Sequence, residues 1–143
     1  MASQLDSTND EAKKLLAEVR AKNDVHRADN ELKRGFELYE QGNENGALAA
    51  FKTAVNIDNH NARAAYMVAK LMWDKSHDSK EALSFAQRAV ESDAKNPDYH
   101  AMVAKIMDHT GSKALAKKHW EEALKLDPKH SEAKKHVKGR WPF

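Results

Sequence analysis

The chain has 143 residues, a length that suits one compact domain rather than two. Apolar residues make up 41% and charged residues 32%. The charged share exceeds the roughly 25% of an average soluble protein and points to an elongated helical shape with much surface for its mass. Cysteine is absent, which excludes a disulfide framework, a thiolate metal site and a cysteine nucleophile. No stretch approaches the roughly 20 apolar residues of a membrane span, and the opening MASQLDSTND lacks the basic and apolar regions of a secretory signal. A cytoplasmic location is expected on these grounds.

Only five glycines and three prolines interrupt windows rich in Ala, Leu, Lys, Glu and Met. These are good helix formers, so the fold class is read as all-α. In chain order, residues 1–7 are expected to be disordered and residues 9–23 to form a helix, with Asp10 and Glu11 near its positive end. Leu15, Leu16 and Val19 give that helix a thin apolar stripe. It would cover Glu31 and Arg34 as a cap, run on into the next helix through Val25, Ala28 and Leu32, or link to a domain outside this chain. Further on, Ala47, Leu48, Phe51, Ala54 and Val55 recur at three- and four-residue steps, as do Ala116, Trp120, Ala123 and Leu124, each set marking one buried helix stripe. Between the stripes lie Gly42-Asn43, Asp58-Asn59, Asp78-Ser79, Asn96-Pro97, Gly111-Ser112 and Asp127-Pro128, which carry turn and cap chemistry. Helices of roughly 14 residues follow.

A fixed period runs through this pattern. The set Ala47, Phe51, Ala54 returns as Ala82, Ala86, Ala89 and again as Ala116, Trp120, Ala123, at separations of 35 and 34 residues. Upstream of each set a small residue precedes a large one by three positions: Gly35 and Leu38, Ala69 and Met72, Ala104 and Met107. Small residues let paired helices approach and large ones fill the groove between them. A period in this range signals a stacked repeat architecture.

These residues resemble the tetratricopeptide repeat family over residues 28–61, 62–96 and 97–130, with residues 131–138 similar to the capping helix that often follows such arrays. The third unit matches best, through Val103-Ala104, Gly111, Ala116, Trp120, Ala123-Leu124 and Leu126-Asp127-Pro128. The first departs by placing Glu31 and Arg34 at usually apolar positions, and the second carries an extra residue in its turn at 75–78 and lacks the turn glycine. The resemblance implies a right-handed superhelical stack of three helix pairs. Residues 1–27 stand as an N-terminal extension, residues 28–138 as the repeat domain and residues 139–143 as an aromatic tail.

Catalysis requires a nucleophile or acid–base pair held in a pocket, and phosphate binding requires glycine-rich backbone amides at a helix start. Neither pattern occurs, so no enzyme, cofactor or metal site is expected. The eight histidines do not alter this, because no two lie three or four residues apart, the spacing that puts two ligands on one helical face. Residues 113–143 carry nine Lys/Arg against four Asp/Glu, but cations near a helix C-terminus are ordinary solubilising chemistry. Nucleic acid is therefore not expected as the principal ligand. The tail Arg140-Trp141-Pro142-Phe143 either folds back on the last helix or docks into another protein.

The resemblance places the first helix of each pair on a concave face where peptides bind. The residues there not needed for the core are Leu32, Phe36 and Tyr39, then Tyr66, Met67, Lys70 and Trp73, then Met102, Lys105 and His109. Some of these would instead be ordinary packing between neighbouring helices. Tyr66, Lys70 and Trp73, spaced i, i+4 and i+7, would form one row, with Lys70 and Lys105 selecting an acidic flank of the ligand. Chaperone-binding arrays grip a ligand carboxylate with Lys, Arg and Asn at set places, which here hold Leu32, Phe36, Met67, Asp98 and Met102, so that clamp is missing. The expected function is a scaffold or adaptor module that binds another protein through a short peptide or amphipathic helix. The alternative is an assembly protein that self-associates through its terminal helices and tail.

Overall fold

The computed structural model describes residues 2–137, with side chains from residue 8 onward. Seven helices follow one another: α1 (Ala2–Glu40), α2 (Glu44–Ile57), α3 (Ala62–Ser76), α4 (Ser79–Ser92), α5 (Pro97–His109), α6 (Lys113–Leu126) and α7 (Ser131–Val137). No strand occurs among the described residues. α1 packs on α2, α3 on α4 and α5 on α6, and each pair meets the next through α2–α3 and α4–α5. α3 and α5 also touch directly, which makes them neighbours in one layer, and α7 closes the end against α6.

The periodic small residues sit where the helices cross. Ala47, Ala82 and Ala116 are fully buried, as are Ala54, Ala89 and Ala123 on the same helices. Opposite them, Ala69 and Ala104 are buried too. Gly35 takes the equivalent place in α1, and a Cβ there would come within 2.5 Å of the Phe51 ring. Without that atom, the aromatic ring seats directly on the α1 backbone, in the close approach that ridges-into-grooves packing needs. The larger periodic position is filled by Phe51, Ala86 and Trp120, and all three are buried. Trp120 carries a polar atom into the core and satisfies it by donating Nε1–H to Asp108 Oδ2 at 2.8 Å.

The turns repeat as well. Between units, Asp58, Asp93 and Asp127 accept from the backbone N–H two residues on, at 3.0, 3.2 and 3.0 Å. Three residues after each aspartate stands a residue whose side chain accepts from the start of the next helix: Asn61 from Ala64 N–H, Asn96 from Asp98 N–H, and His130 from Ala133 N–H through Nδ1. Within units, Gly42 and Gly111 take positive φ of 80° and 90°. Around them, Asn43 N–H donates to Leu38 O and Ser112 N–H to Met107 O, both at 2.9 Å, closing the helix ends. The middle unit lacks this glycine, and His77 adopts the left-handed conformation instead, at φ 52°.

The N-terminal helix is not a separate element. α1 runs unbroken from Ala2 to Glu40, because residues 11–40 contain no proline and one glycine and nothing ends the helix before Gly42. Of the three readings of the stripe, continuation is the one observed. Leu15, Leu16 and Val19 stay 63%, 51% and 58% exposed and do not cover Glu31 or Arg34. Those two residues pair with each other instead, at 3.5 Å. The start expected to be disordered falls on Met1, outside the described residues, and on residues 2–7, whose backbone is the first part of α1 instead. Lys138 and the tail at 139–143 also lie outside the described residues.

Candidate functional site

α3, α5 and α7 line one cleft of about 210 Å³ on the inner layer, formed by Tyr66, Lys70, Asp74, Asp98, Ala101, Met102, Lys105 and Glu132. Four of the ten groove residues named from sequence therefore come together: Tyr66, Lys70, Met102 and Lys105. Tyr66 supplies an aromatic wall and packs on Tyr99 with ring centroids 5.1 Å apart. Its phenol is pushed up to about 12, first by burial and then by Asp98, Glu132, Tyr99 and Asp74. It therefore stays protonated through the neutral range. Met102 and Ala101 are buried and give the cleft an apolar floor.

The charged rim differs from the one read in the sequence. Lys105 Nζ lies 2.8 Å from Glu132 Oε1, so its ammonium is already neutralised by α7. Asp98 Oδ1 accepts from His130 Nε2 at 2.8 Å. The histidine can donate there because its Nδ1 is occupied as the cap acceptor of α7, which fixes the proton on Nε2. Asp74, Asp98 and Glu132 line the cleft together with Lys70 and Lys105, and two of these carboxylates, Asp98 and Glu132, are held by His130 and Lys105.

Trp73 does not join the row. Only 5% exposed, it packs edge-on against His77 and His109, with centroids 4.7 and 4.9 Å away. At i+7 from Tyr66 it is rotated toward the end of α5, whereas Asp74, at i+8, continues the line through Tyr66 and Lys70. Met67 is buried in the core and unavailable as a contact residue. His109 is exposed but belongs with Trp73 rather than with the cleft. Leu32, Phe36 and Tyr39 are half-buried on α1 and line no part of this cleft. Phe36 meets Phe51 edge-on at 5.1 Å and is covered by the Arg63 guanidinium at 4.5 Å.

Sequence reading missed Asp74, Ala101 and Glu132 and named Asp98 only as a vacant clamp place. The helical spacing from Tyr66 and Lys70 pointed to Asp74, and Ala101 sits beside Met102. Glu132 reaches the cleft only through the docking of α7, which no local pattern encodes.

Three further histidines make contacts between helices. His100 is buried, donates from Nε2 to Ala94 O at 2.8 Å, and so offers its Nδ1 lone pair to His119 Nδ1–H at 3.1 Å. His136 stacks on Trp120 with centroids 4.1 Å apart and points Nδ1 at Asp108. Among the described residues, no three His, Asp or Glu side chains are placed to hold a metal ion, and no helix is long and apolar enough to cross a membrane.

The family model described as tetratricopeptide repeat matches residues 38–106. The fold is similar to the first TPR of Spaghetti (RPAP3) bound to the HSP90 peptide SRMEEVD, with 18% identity and a TM-score of 0.72 over 79% of this chain and 89% of that one. It is similar to the Arabidopsis OM64 TPR domain, at 18% identity and 0.72 over 80% and 94%. The second TPR domain of human RPAP3, in complex with the HSP70 peptide SGPTIEEVD, gives 21% and 0.70 over 80% and 94%. No curated protein sequence matches the chain. The repeat period, the stacked helix pairs and the match over residues 38–106 together support a tetratricopeptide repeat protein.

Proposed function

We propose that the chain is a non-enzymatic scaffold or adaptor that binds a short peptide or amphipathic helix of another protein in the cleft between α3, α5 and α7. The observation that carries this reading is the convergence of Tyr66, Lys70, Asp74, Ala101 and Met102 on one inner-layer cleft with an apolar floor and a charged rim. Buried aromatic and Met surface beside charges is the composition of a binding anchor. Two of the structurally similar domains are bound to peptides ending in EEVD. Here the clamp places hold Leu32, Phe36, Met67, Asp98 and Met102, with no Lys or Arg among them. An acidic C-terminal peptide therefore lacks its cationic grip, and the ligand is an apolar or amphipathic segment.

Affinity enrichment from native lysate tests this reading, using the wild type against Tyr66→Ala with Lys70→Glu. Loss of the recovered partners is expected, with the melting temperature lowered as well, because truncating the half-buried Tyr66 that packs on Tyr99 costs roughly 2–3 kcal/mol. Lys70→Glu alone, which leaves the Tyr66 ring in place, should weaken recovery in the same direction. A folded double variant that keeps every partner would move the interaction surface off this cleft.

A further inference from the structure

Residues 9–27 of α1 project from the stack with every side chain exposed except half-buried Asp24, a rod roughly 30 Å long at 1.5 Å per residue. A helix of this size is marginal when it stands alone in water, and its large apolar side chains Leu15, Leu16 and Val19 are uncovered. They share one face with Ala12, and in the sequence Leu5, Ala12 and Val19 follow one another at the seven-residue step of a coiled-coil seam. Charge is sorted along the two sides of this face. At about 100° per residue, Glu11 and Glu18 stand on one side of it and Lys13 and Arg20 on the other, each pair again seven residues apart. Among the described residues no ion pair engages any of these four. The face also points away from the chain's own repeats. Ala28 and Gly35, which α1 buries against the stack, follow Val19 by nine and sixteen positions and so lie about 180° and about 160° around the helix from it.

We propose that the exposed half of α1 pairs with the same half of a second copy of this chain, the two helices parallel and side by side, with Ala12, Leu15, Leu16 and Val19 along the seam. The direction follows from the charges. In a parallel pair the acidic side of each helix, Glu11 and Glu18, faces the basic side of the other, Lys13 and Arg20. An antiparallel pair would set acid against acid and base against base. Each repeat stack stands on the far side of its own α1, so both lie outside the pair and neither obstructs the seam. The same patch is used on both copies, and assembly therefore stops at the dimer. Lys22 falls on the acidic side, and four apolar side chains per copy bury little area, so association is weak, and salt weakens it further. The inner cleft takes no part in it.

Sedimentation equilibrium of the full chain from micromolar to near-millimolar concentration should show average mass rising toward that of a dimer and no further, and falling back when salt is added. Two variants separate the sides of the contact. Glu11→Lys with Glu18→Lys makes both sides basic, and Lys13→Glu with Arg20→Glu makes both acidic. All four side chains are exposed, so the thermal unfolding of the repeats should be unchanged in either variant. Each variant alone should stay monomeric where the wild type associates, while an equimolar mixture should form dimers of one variant with the other. The chain has no cysteine, so introduced thiols report the direction of pairing. Under mild oxidation Val19→Cys should link to itself across the seam, and Ala21→Cys, on the opposite side of the helix, should not. Readier linking of Val19→Cys to Ala12→Cys than to itself would mean antiparallel helices and would overturn the proposal. So would a wild type that is monomeric at every concentration, a mass that climbs past the dimer, or charge variants that associate as the wild type does.

Discussion

Gly35 shows how a single atom sets a helix crossing. Any side chain there drives a Cβ into the buried Phe51 ring, whose own place in the core leaves it no room to yield. Gly35→Ala gains about 1 kcal/mol in helix propensity and is nevertheless predicted to destabilise the chain by a net 1–2 kcal/mol or so through overpacking. Urea unfolding measures it, and a stabilised variant would mean that α1 and α2 are less closely packed than described. The His100–His119 pair gives a pH dependence of known sign. Burial, and then the neighbouring His100, hold the His119 imidazole below its ordinary value, so the folded state prefers it neutral. Its contribution is present above the unfolded pKa of about 6.5 and is lost as pH falls below that through the depressed folded value. The urea midpoint should therefore drop between about pH 7.5 and about pH 5.5, and His119→Gln should flatten part of that drop. An equally steep dependence in the variant would place the titrating group elsewhere.

At the scale of elements, the helix caps carry the repeat as faithfully as the core does. Asn61, Asn96 and His130 stand at equivalent places, and His130 alone adds a second bond, from Nε2 to Asp98, tying α7 to the start of α5. His130→Asn keeps a good cap acceptor but gives up that tie, whereas His130→Ala loses both and should cost about 1 kcal/mol or more. Faster amide exchange confined to α7 is the expected signature, greater for Ala than for Asn. Protection of α7 unchanged in both would show that Ala133 and Val137 hold the helix without the cap. The three helix pairs were legible in the sequence because close helix contacts demand small residues at fixed spacing, and Ala47, Ala82 and Ala116 meet that demand. The length of α1 was not legible. Glu31 and Arg34 break its apolar pattern without breaking its backbone, and a stop signal first occurs at Gly42. Trp73 was misplaced for a related reason: helical spacing gives the angle between side chains, but which angle faces the neighbouring α5 depends on how the pairs stack. Lys105 and Glu132 likewise meet only once α7 has docked.

For the molecule as a whole, a stack in which each unit buries its stripe against a neighbour leaves one continuous inner surface formed by α3 and α5, with α7 as its end wall. The account holds that this surface, and no other face, receives the partner segment. A photo-crosslinking amino acid placed at position 70, compared with one at the exposed position 88 on α4, tests that most directly in the full chain. Light should join position 70 to the enriched partner and give no adduct from position 88. Adducts from position 88 with none from position 70 would contradict the account.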